Sequence, residues 1–175
     1  LPYWLGSMDK IKPGASELGR WIKKHSGPYV ITDKLDGVSA LIVYTLKDVI
    51  VPTTITTTIK LRGRIIKKTT TVDKEKKLWE STIYSRGNGS VGQDISFLKQ
   101  FITLPSIKKI RKKYKSVNTF AIRGELLFKK SVYNTFTGQN SNARNMISGI
   151  VNSKKSSNFN VAAAKQIDFV AYELI

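Results

Sequence analysis

The chain has 175 residues, 41% of them hydrophobic, with three Trp, seven Tyr and seven Phe, which is enough for one folded domain with a core and excludes a disordered tail. Thirty Lys and Arg against twelve Asp and Glu give a formal net charge of +18, which favours polyanionic partners, nucleic acid first among them. The absence of Cys excludes thiol chemistry, disulfides and Cys-based zinc sites. No apolar run approaches the roughly 18 residues of a membrane-spanning helix, so no membrane partner is expected.

The opening LPYWLGSMDK has neither an initiator Met nor a signal-peptide pattern, and a piece of a longer protein is expected. In GASELGRWIKKH, Leu18, Trp21, Ile22 and His25 recur at helical spacing, which predicts a short amphipathic helix between Gly14 and His25. His25 is the only histidine and is read as a helix-end imidazole. One His and no Cys support neither a zinc cluster nor a His-based triad.

In YVITDKLDGVSALIVY, two β-branched runs flank Asp36-Gly37, the signal for a tight hairpin. Lys34 then sits at the end of the first strand, half buried, on the face that carries Thr32. The Thr- and Ile-rich stretch from Val51 to Lys77 alternates like strands, with a turn at Arg62-Gly63. Its eight Lys and Arg between Lys60 and Lys77 face only Asp73 and Glu75. They fit either a basic ribbon along a phosphate backbone or a solvated hairpin whose lysines block aggregation.

A strand from Leu78 to Ser85 enters a glycine-rich loop at Arg86 to Gly92. PSIKKIRKKYKS puts Ile107, Ile110 and Tyr114 on one helical face, with lysines and Arg111 around the rest, either solvated or contacting phosphate. NTFAIRGELLF is a strand with Ile122, Leu126 and Phe128 on one face and Arg123 and Glu125 on the other. Those two charges form either an ion pair or a ligand-facing pair. Beyond it, Val132 and Phe136 share a helical turn, and Met146, Ile147, Ile150 and Val151 belong to a second helix. Asn142 is the expected N-cap, with Arg144 and Asn145 in the first turn, where backbone N–H groups favour an anion. IDFVAYELI ends the chain as a strand, and the whole reads as α+β with largely antiparallel sheets flanked by helices.

Lys34 with Asp36-Gly37, Arg86-Gly87 and Arg123-Gly124-Glu125 together suggest a site for an anionic nucleotide. A free lysine amine, with a pKa of ~10.4, is neutral in roughly one molecule in a few thousand at pH 7, so a nucleophilic lysine needs neighbouring cations or desolvation. An Asp beside it makes chemical sense as a ligand of a divalent ion, through water for Mg²⁺.

The segments LPYWLGSMDKI, KLDGVSALIVY, YSRGNGSVGQDIS, FAIRGELLF, NARNMISGIV and FVAYEL resemble, in order, the adenylation (nucleotidyltransferase) domain of NAD-dependent DNA ligases. The resemblance spans residues 1–175 except a basic, Thr-rich insertion at 51–77, and implies a ligase-type adenylation fold, truncated at both ends. It implies that Lys34 attacks the α-phosphate of NAD⁺ to form a lysyl-AMP, that AMP passes to the 5′-phosphate of nicked double-stranded DNA, and that the nick is then sealed, as in replication and repair. Asp36 would support Mg²⁺. Arg86 and Gly87 would lie at the nucleotide or nick, Glu125 at the ribose, and Tyr172 on the adenine. Ser7 and Met8 would line the pocket, and Asn142 and Arg144 would meet DNA phosphate.

ATP-dependent relatives usually carry Arg where Ser39 stands, which favours NAD⁺ as donor. Three positions depart from the family pattern: Thr32 replaces a Glu that reads adenine, Asn88 an Asp, and Asn152 an Arg. The family's upstream segment for the nicotinamide mononucleotide half, its later D-G-V-V-I-K-like strand and its downstream domains have no counterpart here, so poor sealing by this piece alone is expected. The implied location is intracellular, at a nucleoid, nucleus or viral replication site, and Lys, Ile and Asn richness hints at a viral member. Two alternatives stand beside this reading: a noncatalytic basic nucleic-acid-binding module, and an ATP-dependent DNA or RNA ligase.

Overall fold

The computed structural model describes residues 1–7, 10–12, 14, 16–136, 142–153 and 160–175. Four strands form one antiparallel sheet in the order β2-β1-β3-β4, with β1 at Val38–Leu61, β2 at Arg64–Ser85, β3 at Thr119–Leu127 and β4 at Asp168–Leu174. The helices are α1 (Ser16–Lys24), α2 (Lys108–Lys113), α3 (Lys130–Tyr133), α4 (Ala143–Asn152) and α5 (Val161–Ala164), with 3₁₀ turns at Ser96–Gln100 and Asn134–Phe136. The α+β expectation therefore holds, with one antiparallel sheet among the described residues.

Alternation along the strands divides the apolar side chains between two faces. On one face Ile42, Ile83, Ile122 and Leu126 pack with Met146, Ile147, Ile150 and Val151 of α4, with Leu98 of the first 3₁₀ turn and with Ala163 and Ala164 of α5. On the other, Leu41, Val43 and Ala121 form a smaller cluster with Leu5 of the N-terminal segment. The expected faces of β3 are thus observed. In α4 the Asn142 side chain accepts from Asn145 N at 2.8 Å, the cap anticipated from sequence.

The hairpin expected around Asp36-Gly37 does not form. Residues 28–36 have no regular secondary structure, and Val30, Ile31, Thr32, Lys34 and Asp36 are exposed. From Ala40 to Thr45 both edges of β1 are already paired, one with β2 and the other with β3, so Tyr29–Asp33 has no free edge to join. Gly37 is also not in a left-handed conformation. It is small because β3 passes close by: an added Cβ would lie 2.2 Å from the Leu126 carbonyl oxygen and 2.9 Å from Glu125 Cγ.

The 51–77 stretch is continuous with the strands around it. β1 and β2 pair without a register break from Ala40↔Ser85 to Leu61↔Arg64, and the turn falls at Arg62-Gly63 as expected, both with positive φ. β3 pairs with β1 only as far as Thr45, so the outer part is a two-stranded ribbon. α1 forms where its periodicity placed it, with no buried residue, and Trp21 stands 5.0 Å from His25 and 5.3 Å from Tyr29 between ring centroids.

Candidate functional site

The residues of interest gather where β1 begins and β3 ends. Ser39 on β1 lies directly opposite Glu125 on β3, and Leu41 opposite Arg123, so both charged residues share a face with Ser39. The Glu125 carboxylate, 9% exposed, accepts from the Gly37 backbone N–H at 3.2 Å and from Ser39 Oγ at 2.9 Å. Arg123 does not pair with Glu125. It donates to Glu173 at 2.6 Å and to the Trp4 carbonyl, while its Nε is buried with no hydrogen-bond partner among the described residues.

β4 carries one extra residue against β3: Arg123 pairs with Glu173 and Gly124 with Ala171, leaving Tyr172 as the bulge. A bulge turns its strand locally and re-aims the side chain. Burial pushes the Tyr172 hydroxyl above its usual pKa, and the Glu125 charge adds to this, so Tyr172 stands within electrostatic reach of Glu125.

The glycine-rich loop supplies the next wall. Asn88 Oδ1 accepts from Ser90 N at 3.0 Å and from Val91 N at 2.8 Å, so its amide oxygen holds the loop together. Gly87 has φ of 55°, and a Cβ there would meet the Val91 carbonyl oxygen at 1.8 Å. The loop is tied to β1 by Arg86 N donating to Ser39 O at 3.2 Å, and the Arg86 guanidinium donates to Ser7 Oγ at 3.1 Å. A cleft of about 420 Å³ opens between this loop and α4, lined by Ser39, Arg86, Gly87, Gln93, Arg144, Ser148 and Asn152 among others, with no carboxylate among the described residues that line it. Its size and its two arginines suit a small anionic ligand.

Of the site residues read from sequence, Ser7, Arg86, Glu125 and Tyr172 are brought to this sheet end. Arg144 lines the cleft and pairs with Asp36 at 3.4 Å, both side chains being more than half exposed. Asn142 spends its side-chain oxygen on the cap of α4. Lys34 and Thr32 make no hydrogen bond or ion pair with a described residue, and the half-buried strand end expected for Lys34 is corrected to an exposed irregular segment. Met8 lies outside the described residues. Ser39, Gln93 and Ser148 were not singled out as site residues. Ser39, noted in the sequence only for the donor choice, gains its place in the site through its register opposite Glu125.

Among the described residues no group of three or more His, Cys, Asp or Glu could hold a metal ion. Asp36 is a single exposed carboxylate, which suits Mg²⁺ only in the mode that takes one carboxylate and completes its shell with water and substrate phosphates. On the sheet face that carries α4 a second cleft of about 430 Å³ runs between Trp79 and α2, bordered by Lys108, Arg111, Lys112 and Lys115.

A carboxylate-clamped strand entry, a glycine-rich loop and a cation-lined cleft thus meet at one end of the sheet of an α+β domain. The chain is 36% identical over all its 175 residues to the DNA ligase of Acanthamoeba polyphaga mimivirus. It is 35% identical over 177 aligned residues to the 205R protein of Invertebrate iridescent virus 6, provisionally named a DNA ligase. In both cases it spans 22% of the relative's length. No family model matches the chain. It is thus a homologue of one segment of viral proteins that carry the name DNA ligase.

Proposed function

We propose that the chain is the partial adenylation domain of a DNA ligase, acting on nicked double-stranded DNA. The observation that carries the reading is the Glu125 clamp. It ties the Lys34-Leu35-Asp36-Gly37 segment to the Arg123-Gly124-Glu125 strand beside a cation-lined cleft, in a chain similar throughout to viral ligases.

In the proposed reaction NAD⁺ is a consumed substrate. The Lys34 Nζ lone pair attacks the α-phosphorus, an N–P bond forms, and the P–O bond to the bridging oxygen breaks. Nicotinamide mononucleotide leaves with that electron pair, and the amine proton goes to solvent. Arg86 and Arg144 balance phosphate charge, and Tyr172 offers a ring at the Glu125 side of the sheet. A Mg²⁺ held by Asp36, through water, and by the donor's phosphates would neutralise charge there. AMP next moves to the 5′-phosphate of the nick, and the 3′-hydroxyl displaces it.

Incubation of the full-length encoded protein with NAD⁺, ATP or GTP, followed by intact mass, tests each element. An AMP adduct with NAD⁺ that Lys34→Ala abolishes is the expected result. An adduct retained by Lys34→Ala, or formed only with ATP, refutes the nucleophile or the donor. A noncatalytic basic module is the second reading, favoured by the absence of any described contact to Lys34 and by the net charge of +18. DNA binding without any adduct would select it.

A further inference from the structure

The two faces of the β1–β2 ribbon differ in charge although the sequence mixes signs along it. Because pairing runs unbroken from Ala40↔Ser85 to Leu61↔Arg64, odd residues of β1 and even residues of β2 share one face. That face carries Lys47, Arg64, Lys68, Lys74 and Lys76 against Glu80 alone, and Glu80 is paired with Lys47. The reverse face carries Lys60, Lys67 and Lys77 against Asp48, Asp73 and Glu75, and Lys77 lies 4.0 Å from Asp48. All the ribbon's acids except the one at its root therefore sit on the balanced face.

The basic face is the same sheet face that bears Ser39, Arg123 and Glu125, since Ser39 and Leu41 are odd residues of β1. An isolated two-stranded ribbon is marginal in water, and this face also leaves Ile55, Ile59, Ile66 and Val72 between 39% and 49% exposed. The part beyond Thr45 is 16 residues long on β1, about 50 Å at strand rise. A strongly twisted ribbon of that length winds its cationic stripe about its axis.

We infer that this face is an arm for duplex DNA, laying Lys68, Lys74, Lys76 and Arg64 along phosphates while the reverse face stays in solvent. The inference rests on the proposed DNA substrate and adds where, and with which face, the duplex is held. Charge complementarity selects a polyanion as the occupant, because the face has nearly all of the ribbon's uncompensated charge.

Two variants of the full-length protein with equal charge change separate face from bulk charge: Lys68→Thr/Lys74→Thr/Lys76→Thr on the basic face, and Lys60→Thr/Lys67→Thr/Lys77→Thr on the other. Threonine preserves strand propensity. Affinity for a nicked duplex is measured by fluorescence anisotropy across a salt series, with circular dichroism to verify folding. Each lost phosphate contact flattens log K against log[salt] by ~0.9, so the first variant loses roughly 40-fold less affinity than the parent between 50 and 200 mM salt. The second keeps the parent slope. Equal slopes in the two variants, or an unchanged slope in the first, overturn the inference. If the parent forms no AMP adduct while the variants still differ, the ligase reading falls and the DNA arm stands.

Discussion

Glu125 is the side chain whose removal tests the site's architecture most directly. Its carboxylate is buried, and its two described hydrogen bonds reach the residues on either side of the β1 entry, Gly37 N and Ser39 Oγ. Hydrogen bonds to a charged group are worth about 1.5–3 kcal/mol each, and an orphaned buried N–H costs about 1–3 kcal/mol. The Gly37 contact at 3.2 Å is long and the Ser39 hydroxyl can rotate to another partner, so Glu125→Ala is expected to cost about 2 kcal/mol locally. Glu125→Gln keeps an acceptor for Gly37 and a donor that a turned Ser39 hydroxyl accepts, and should cost about 1 kcal/mol.

The effect is local, so amide hydrogen exchange at Gly37 reads it better than global unfolding. Exchange is expected to speed up roughly 30-fold in Glu125→Ala and roughly fivefold in Glu125→Gln. Exchange within twofold of the parent in Glu125→Ala would refute the clamp, and with it the observation on which the proposed function rests. If the carboxylate also meets the ribose, Glu125→Gln keeps the clamp yet slows adduct formation more than tenfold. A tenfold loss is about 1.4 kcal/mol of transition-state stabilisation.

Three further outcomes follow from the same structure. Gly37→Ala forces a methyl against the Leu126 carbonyl, which cannot rotate away, and should lower stability to urea by about 1–3 kcal/mol. Asn142→Ala removes the α4 cap at a cost of about 1 kcal/mol, and Asn142→Asp restores most of it in the same urea titration. Tyr44 is 5% exposed, and burial pushes its pKa from 10.0 up to about 12. The unfolded tyrosine ionises first, so this contribution is complete below pH 10 and is lost as pH rises from 10 through 12, by roughly 3 kcal/mol. Tyr44→Phe should flatten stability against pH in that window while losing about 1 kcal/mol with the bond to the Pro105 carbonyl.

What was legible in the sequence is what local chemistry decides. The Arg62-Gly63 turn, the Asn142 cap, the alternation of β3 and the apolar stripe of α4 each depend on a few neighbouring residues, and each is found. The hairpin at Asp36-Gly37 failed because the competing partners of β1 lie some 40 and 80 residues away, and no local signal reports that both its edges are taken. The 51–77 stretch, set apart in the sequence because the family resemblance does not cover it, continues β1 and β2 without a break, and Pro52 is tolerated there because β1 has β2 as its one neighbour. α5 and the turn at Ser96–Gln100 are too short to leave a periodic trace. In the site, alternation along β3 is enough to put Arg123 and Glu125 on one face. Their separate partners depend on the β4 register and its bulge at Tyr172.

The exposed position of Lys34 is compatible with its proposed role because the clamp fixes its reach. Gly37 is held by Glu125, and three residues of extended chain span at most about 11 Å. Ser39, two residues further on, already lines the cleft with Arg86 and Arg144. Chain length alone therefore permits Lys34 to approach the cation-lined cleft, as the proposed reaction requires of it. An exposed lysine at that distance is a poor nucleophile without a ligand, so in the proposed reaction the activating environment comes from the bound donor and the arginines that hold it. Arg144 bears on this twice, lining the cleft and pairing with Asp36. Loss of its charge should weaken phosphate binding and release Asp36 together, and adduct formation in Arg144→Ala should fall further than in Arg144→Lys, which keeps the charge.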